Sequence, residues 1–199
     1  MRHPRALVIE EKADEILRTT EMLRVPIPVG DVARRLGLRV SPANLTDDVS
    51  GMLVIEEGRG SIGYNSGHPP VRQRFTIAHE LAHFVLHHSA QNVFIDKKQH
   101  TAMFRRDHRS STGNDIIEIE ANQFAAALLM PRSLILQEII DLDFDLADED
   151  TLRLLALRFG VSTQAMSIRL GTIGVFESEG DELECPVMGV FRDSSYGDT

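Results

Sequence analysis

A single cysteine, Cys185, stands in 199 residues, which excludes an internal disulfide framework and any cysteine-rich zinc finger. A metal site in this chain therefore has to be built from histidine and carboxylate. Long hydrophobic runs are also missing. The longest candidates, residues 125–130 and residues 134–140 with their polar breaks, fall short of the roughly 18 to 20 residues that span a bilayer. Nor is a secretory signal expected, because residues 6–9 meet Glu10 and Glu11 before an apolar stretch of about 7 to 15 residues can form. The expectation is a cytoplasmic protein that does not cross a membrane. With 42% hydrophobic and 26% charged residues, the composition excludes collagen-like, low-complexity and fully disordered classes and supports one main core.

The formal charge of -9 is concentrated. Residues 141–150 hold six acids and residues 177–184 hold five, with no Lys or Arg in either stretch. The remainder is close to neutral, so net charge says little about partners.

Apolar Val8, Ile9, Ala13, Ile16, Leu17 and Leu23 recur at helical spacing and predict a helix over residues 6–24, ended before Pro26. A short helix over residues 32–36, capped by Asp31 and stopped at Gly37, precedes a strand at 38–41. Residues 51–56 and 61–65 flank a glycine-bearing turn and predict a hairpin in a small antiparallel sheet. Residues 71–88, past Pro69-Pro70, form the central helix. Residues 92–113 read as a polar surface loop. Helices follow at 116–130, ended by Pro131, and at 133–140. Residues 151–170 then form a two-helix unit around Gly160-Val-Ser162. No repeat or internal boundary emerges. Residues 1–174 are read as one domain, and 175–199 as an acidic tail whose Ser, Gly and Asp content allows flexibility.

The central helix carries His79-Glu80-Leu81-Ala82-His83, an HExxH pattern. Residues four apart leave nearly the same helix face, so two imidazoles can reach one cation while Glu80, about 100° round, stands beside the open position. A zinc ion with three protein ligands lowers the pKa of bound water from about 15.7 towards about 7, and a neighbouring carboxylate can take that water's proton. Ile77, Ala78, Leu81 and Ala82 around the motif point to burial, where unpartnered imidazole and carboxylate are costly.

A third ligand is sought in Glu118-Ile-Glu-Ala-Asn122 of the later helix. Glu118 and Glu120 are both candidates, but they lie about 200° apart and cannot both face one ion. Glu118 is favoured because it shares a face with Asn122 and the small residues Ala125 and Ala126. Asn122 could then hold a histidine ligand's second ring nitrogen and fix its tautomer.

The run from Arg74 to Phe84, followed by that from Glu118 to Pro131, closely resembles the ImmA/IrrE family of zinc metallopeptidases, with weaker similarity over about residues 6–174. The resemblance implies His79, His83 and Glu118 as ligands of one zinc per chain in a gluzincin-like arrangement, with Glu80 as general base. It implies an α+β fold: a mainly helical zincin-like core, a small antiparallel sheet and a C-terminal helix-turn-helix-like unit. It also implies a regulatory protease that cleaves or inactivates a helix-turn-helix (Xre-type) repressor, in mobile-element, stress-response or toxin–antitoxin-like systems. Manganese or iron also suits histidine and carboxylate donors. The rival readings are a non-hydrolytic metal-containing module that binds a repressor or DNA, and a toxin–antitoxin-like partner that sequesters without cutting.

Fainter signals complete the picture. His87 continues the four-residue spacing but drifts about 80° from His79 and would point away from the ion. His68, His100, His108, Tyr64 and Arg74 are candidate donors to a developing oxyanion, the histidines otherwise being solvated loop side chains. An exposed sheet edge at residues 51–65 could add a peptide strand, or could be a plain packing sheet. Direct DNA binding by residues 151–170 is disfavoured, because Arg153, Arg158 and Arg169 neutralise few phosphates and an acidic run abuts them.

Overall fold

The described residues of this computed structural model are 4–56, 58–86, 93–97, 113–142 and 148–175, and they form seven helices and four strands. Helix α1 (Pro4–Thr19) buries Ile9, Ala13, Ile16 and Leu17 along one stripe. It ends at Thr19, short of the expected residue 24. Glu21 adopts a left-handed φ of 58°, and the amides of Glu21 and Met22 bond back to the carbonyls of Arg18 and Leu17. This double bond pattern closes a helix and is usually signalled by glycine; here a glutamate fills the position, so the sequence carries no warning. Leu23, beyond that end, is exposed, and so is Val8, which lies inside α1 but off its buried stripe. Helix α2 (Val29–Arg35) starts ahead of the expected Asp31 cap and buries Val29, Val32 and Ala33.

Strands β1 (Arg39–Ala43), β2 (Val49–Glu56), β3 (Arg59–Asn65) and β4 (Val93–Lys97) form one sheet in the order β1-β3-β2-β4. The predicted hairpin is present, with Leu53 of β2 opposite Ile62 of β3 and both fully buried. The sheet is mixed, however, and not antiparallel throughout, because β1 runs parallel to β3. Residues 44–48 carry the chain over the end of β3. There the Asn65 amide donates to the carbonyls of Leu45, Thr46 and Val49 at 3.3, 3.1 and 2.9 Å. The two N–H hydrogens of one buried side chain are thus shared among three carbonyls of an irregular crossing. Strand β4 lies where a loop was expected and pairs antiparallel with β2. Its Val-Phe-Ile core is β-prone, but too short to register among polar neighbours.

Helix α3 (Pro70–Val85) begins on Pro70 itself. At the first helical position a missing N–H costs nothing and the fixed φ suits the helix. Helix α4 (Gly113–Leu129) packs against α3 on one side and α1 on the other. Such double coverage explains why Ala121, Phe124, Ala125, Ala127, Leu128 and Leu129 are all buried. Helix α5 (Arg132–Leu142) follows Pro131. Helix α6 (Glu149–Phe159) is capped by Asp148, which accepts from the amides of Asp150 and Thr151. Helix α7 (Thr163–Ile173) is capped by Ser162, whose hydroxyl accepts from Ala165 N at 3.1 Å. Between them Gly160 takes φ 64°, a conformation that terminates α6 without side-chain strain. The architecture is α+β and mainly helical, and α3 lies on β2 and β3 with α4 behind it. Residues 98–112 of the expected loop and the tail beyond residue 175 lie outside the described residues.

Candidate metal centre

Burial of Ile77, Ala78, Leu81 and Ala82 drives α3 into the core, and the HExxH residues go with it. His79, Glu80 and His83 are 5%, 0% and 2% exposed, so their polar atoms face protein and not bulk solvent. The imidazoles of His79 and His83 meet edge to face, with ring centroids 4.7 Å apart and planes at 80°. Their Nε2 atoms are 3.1 Å apart. From α4, Glu118 reaches both: its carboxylate oxygens lie 3.2 Å from His79 Nε2 and 3.6 Å from His83 Nε2.

These separations fit a cation. Tetrahedral zinc with Zn–N bonds of about 2.0 to 2.1 Å requires its donor atoms to be about 3.3 Å apart, and the three observed spacings bracket that value. The tautomer is suitable as well. The oxygen of the Asn122 side chain lies 3.1 Å from His79 Nδ1 and can only accept, so Nδ1 carries the proton and Nε2 is left with a lone pair. His79, His83 and Glu118 are a group able to hold a metal ion, their ligand atoms lying within 4.8 Å of one another. Glu118 remains 44% exposed, which leaves the centre open on that side.

Glu120 points elsewhere. It is 5% exposed and takes the guanidinium of Arg5 from α1, with Arg5 Nη2 2.9 Å from Oε2 and Nε against Oε1. The two glutamates therefore face opposite sides of α4, as their spacing requires. Sequence reading offered no sign of Arg5, because its partner lies more than a hundred residues away.

The remaining candidates divide. Arg74 donates from Nε to Gly160 O at 3.0 Å and from Nη2 to Phe159 O at 3.2 Å. Burial lowers its pKa from the ordinary arginine value, and its hydrogen-bonding is spent on the open end of α6. His68 is not the solvated side chain expected, since both ring nitrogens are shielded from solvent. Tyr64 is half-buried against the core. His87, His100 and His108 lie outside the described residues. The idea of an exposed edge at residues 51–65 is overturned: β2 and β3 are the inner strands, each hydrogen-bonded on both sides, and the edges are β1 and β4.

In the α6–α7 pair, Arg153 is paired with Glu149 and Asp150, Arg158 with Glu138, and Arg169 with Glu10. Arg169 is also 4% exposed and bonds Met130 O. Arg169 is thus held inside the fold, while Arg153 and Arg158 pair with carboxylates at the surface.

A buried HExxH helix crossed by a glutamate-bearing helix thus brings together three side chains that could hold a metal ion. The family model for Peptidase M78, the IrrE N-terminal-like domain, matches residues 33–171, and the chain belongs to that family. No match was found among curated proteins. Among solved structures, the chain is similar to a Mycobacterium tuberculosis transcriptional regulator, with 20% identity and a TM-score of 0.56. The likeness covers 83% of this chain and 46% of that one, so the chain spans about half of that structure's length. No helix among the described residues is long and apolar enough to cross a membrane.

Proposed function

We propose that the protein is a zinc-dependent metallopeptidase, with His79, His83 and Glu118 as metal ligands and Glu80 as general base. Supporting this most directly is the convergence of two buried imidazole nitrogens, 3.1 Å apart, with a carboxylate from a second helix. Zinc held there would supply Lewis acidity, acidifying the attacking water and polarising the scissile carbonyl. Glu80 takes the proton from that water and returns it to the leaving amine as the peptide bond breaks. Asn122 holds His79 in the ligating tautomer.

The substrate proposed is a helix-turn-helix repressor of the Xre type, which makes the enzyme a cytoplasmic regulatory protease. Two findings support the link to transcription control: membership of the M78 peptidases, and the likeness in fold to a chain named as a transcriptional regulator. The repressor is met as a protein. The pairing of Arg153, Arg158 and Arg169 within the fold argues against direct DNA binding.

The test is incubation of the zinc-loaded protein with purified Xre-type helix-turn-helix regulators from the same source, read by intact mass. Discrete cleavage that a chelator prevents is expected. Glu80→Gln should lower the rate by at least about 100-fold, within the roughly 10²- to 10⁴-fold attributed to general-base catalysis, while zinc content stays at one per chain. Equal cleavage by that variant refutes the mechanism. An intact regulator in a stable complex, with Glu80→Gln equally effective, would favour the non-hydrolytic module or the sequestering partner.

A further inference from the structure

Gly51 is the third residue of β2, an inner strand, pairing with Tyr64 of β3 on one side and, just past a register shift at Val49, with Asp96 of β4 on the other. Glycine there weakens a sheet, since it adds no packing and loses the most backbone entropy on folding. Its backbone is not among the positive-φ glycines of the chain, so a left-handed turn does not explain it. The register shift beside it concerns the β4 side, whereas the space above Gly51 is taken by the helix. Thr76 and Glu80, one turn apart on α3, share the face that rests on this strand. A Cβ at residue 51 would overlap the Thr76 methyl, lie 3.0 Å from Gly63 O and lie 3.4 Å from Glu80 Oε1. Thr76 is itself 3% exposed and sits in a close-packed interior, where a shift of its methyl presses on neighbours.

We propose that Gly51 is the positioning residue for Glu80: by lacking a side chain, it lets the Thr76–Glu80 face of α3 settle onto the sheet and sets where the Glu80 carboxylate stands relative to the paired histidines. This rests on Glu80 being the base, and the contact is steric. A methyl at residue 51 has to be accommodated by tilting α3 at Thr76, which carries Glu80 with it. A displacement of about 1 Å at a catalytic group can cost about 100-fold in rate.

The decisive comparison uses three variants: Gly51→Ala, Thr76→Ser and Gly51→Ala with Thr76→Ser. Crystal structures should show the Glu80 carboxylate displaced by about 0.5 Å or more from the His79–His83 pair in the first. It should be unmoved in the second and returned in the third, where the colliding methyl is gone. On a regulator that the wild type cleaves, kcat should fall about 10- to 100-fold in Gly51→Ala with one zinc still bound, and recover in the double variant. A Gly51→Ala structure with Glu80 in place overturns the proposal. So does failure to fold of both variants that carry Gly51→Ala, because strand pairing at Gly63 would then be the reason for the glycine. Should the wild type cleave nothing, the peptidase reading fails while the crystallographic comparison still judges Gly51.

Discussion

Two helix pairs in this molecule treat their polar side chains in opposite ways. On α3 and α4, ring nitrogens of two histidines and a glutamate carboxylate crowd within a few ångströms, an arrangement that a cation would stabilise. On α6 and α7, each arginine that might have served a ligand is already held by a carboxylate or carbonyl of the same chain. Convergent groups of one electronic kind mark a place built for something from outside. Groups of opposite kind in contact mark the fold satisfying itself. Glu118 and Glu120 make the same contrast within two residues, one turned to the histidines and the other to Arg5.

The contrast is broken most severely at Glu118. Glu118→Ala should lower zinc affinity by more than the roughly 10- to 100-fold that supporting partners contribute, measured by competition with a chromophoric chelator. Zinc at 100 times its Kd should stabilise the wild type by about 2.7 kcal/mol, and this gain should vanish in the variant. Unchanged affinity would remove Glu118 from the ligand set. On the self-satisfied side, Arg169→Met should cost about 3 kcal/mol in chemical denaturation, because it removes a buried cation from Glu10 and a donor from the Met130 carbonyl. Zinc affinity should stay the same; a joint loss would mean that the two regions are not separable.

Asn122→Ala is milder. About 10- to 100-fold in zinc affinity is expected, with native-like stability in the absence of metal. The smallest effect belongs to Asp148. The Thr151 hydroxyl and the amides of Asp150 and Thr151 hold its carboxyl below the ordinary aspartate value. A depressed folded-state pKa contributes stability that is present above the unfolded value and is lost as pH falls through the folded one. Asp148→Ala should therefore lower Tm slightly at neutral pH, and the gap should close below about pH 4. A gap that persists in acid would assign the difference to something other than the charged cap.

Legibility in the sequence followed the range of the interaction. Stops written within a few residues were readable, Pro131 after α4 and the Gly160-Val-Ser162 turn after α6, whereas the cap expected at Asp31 lies inside α2, which starts at Val29. The end of α1 was not readable, because Glu21 does the work of a glycine. Strand β4 and the parallel pairing of β1 were hidden for a related reason, since both depend on partners distant in the chain. His68 looked like a loop histidine until neighbouring chain covered it.

Helical periodicity alone determined that His79 and His83 share a face, that Glu80 stands beside them, and that Glu118 and Glu120 must part company. Those are consequences of about 100° per residue, independent of anything the helix touches. Only packing brought Glu118, the glutamate that the sequence favoured, within 3.2 Å of His79, laid the Asn122 oxygen 3.1 Å from His79 Nδ1, and set β2 close beneath Thr76 and Glu80. Each of these depends on how near two elements come to one another, and that distance is a property of the whole core.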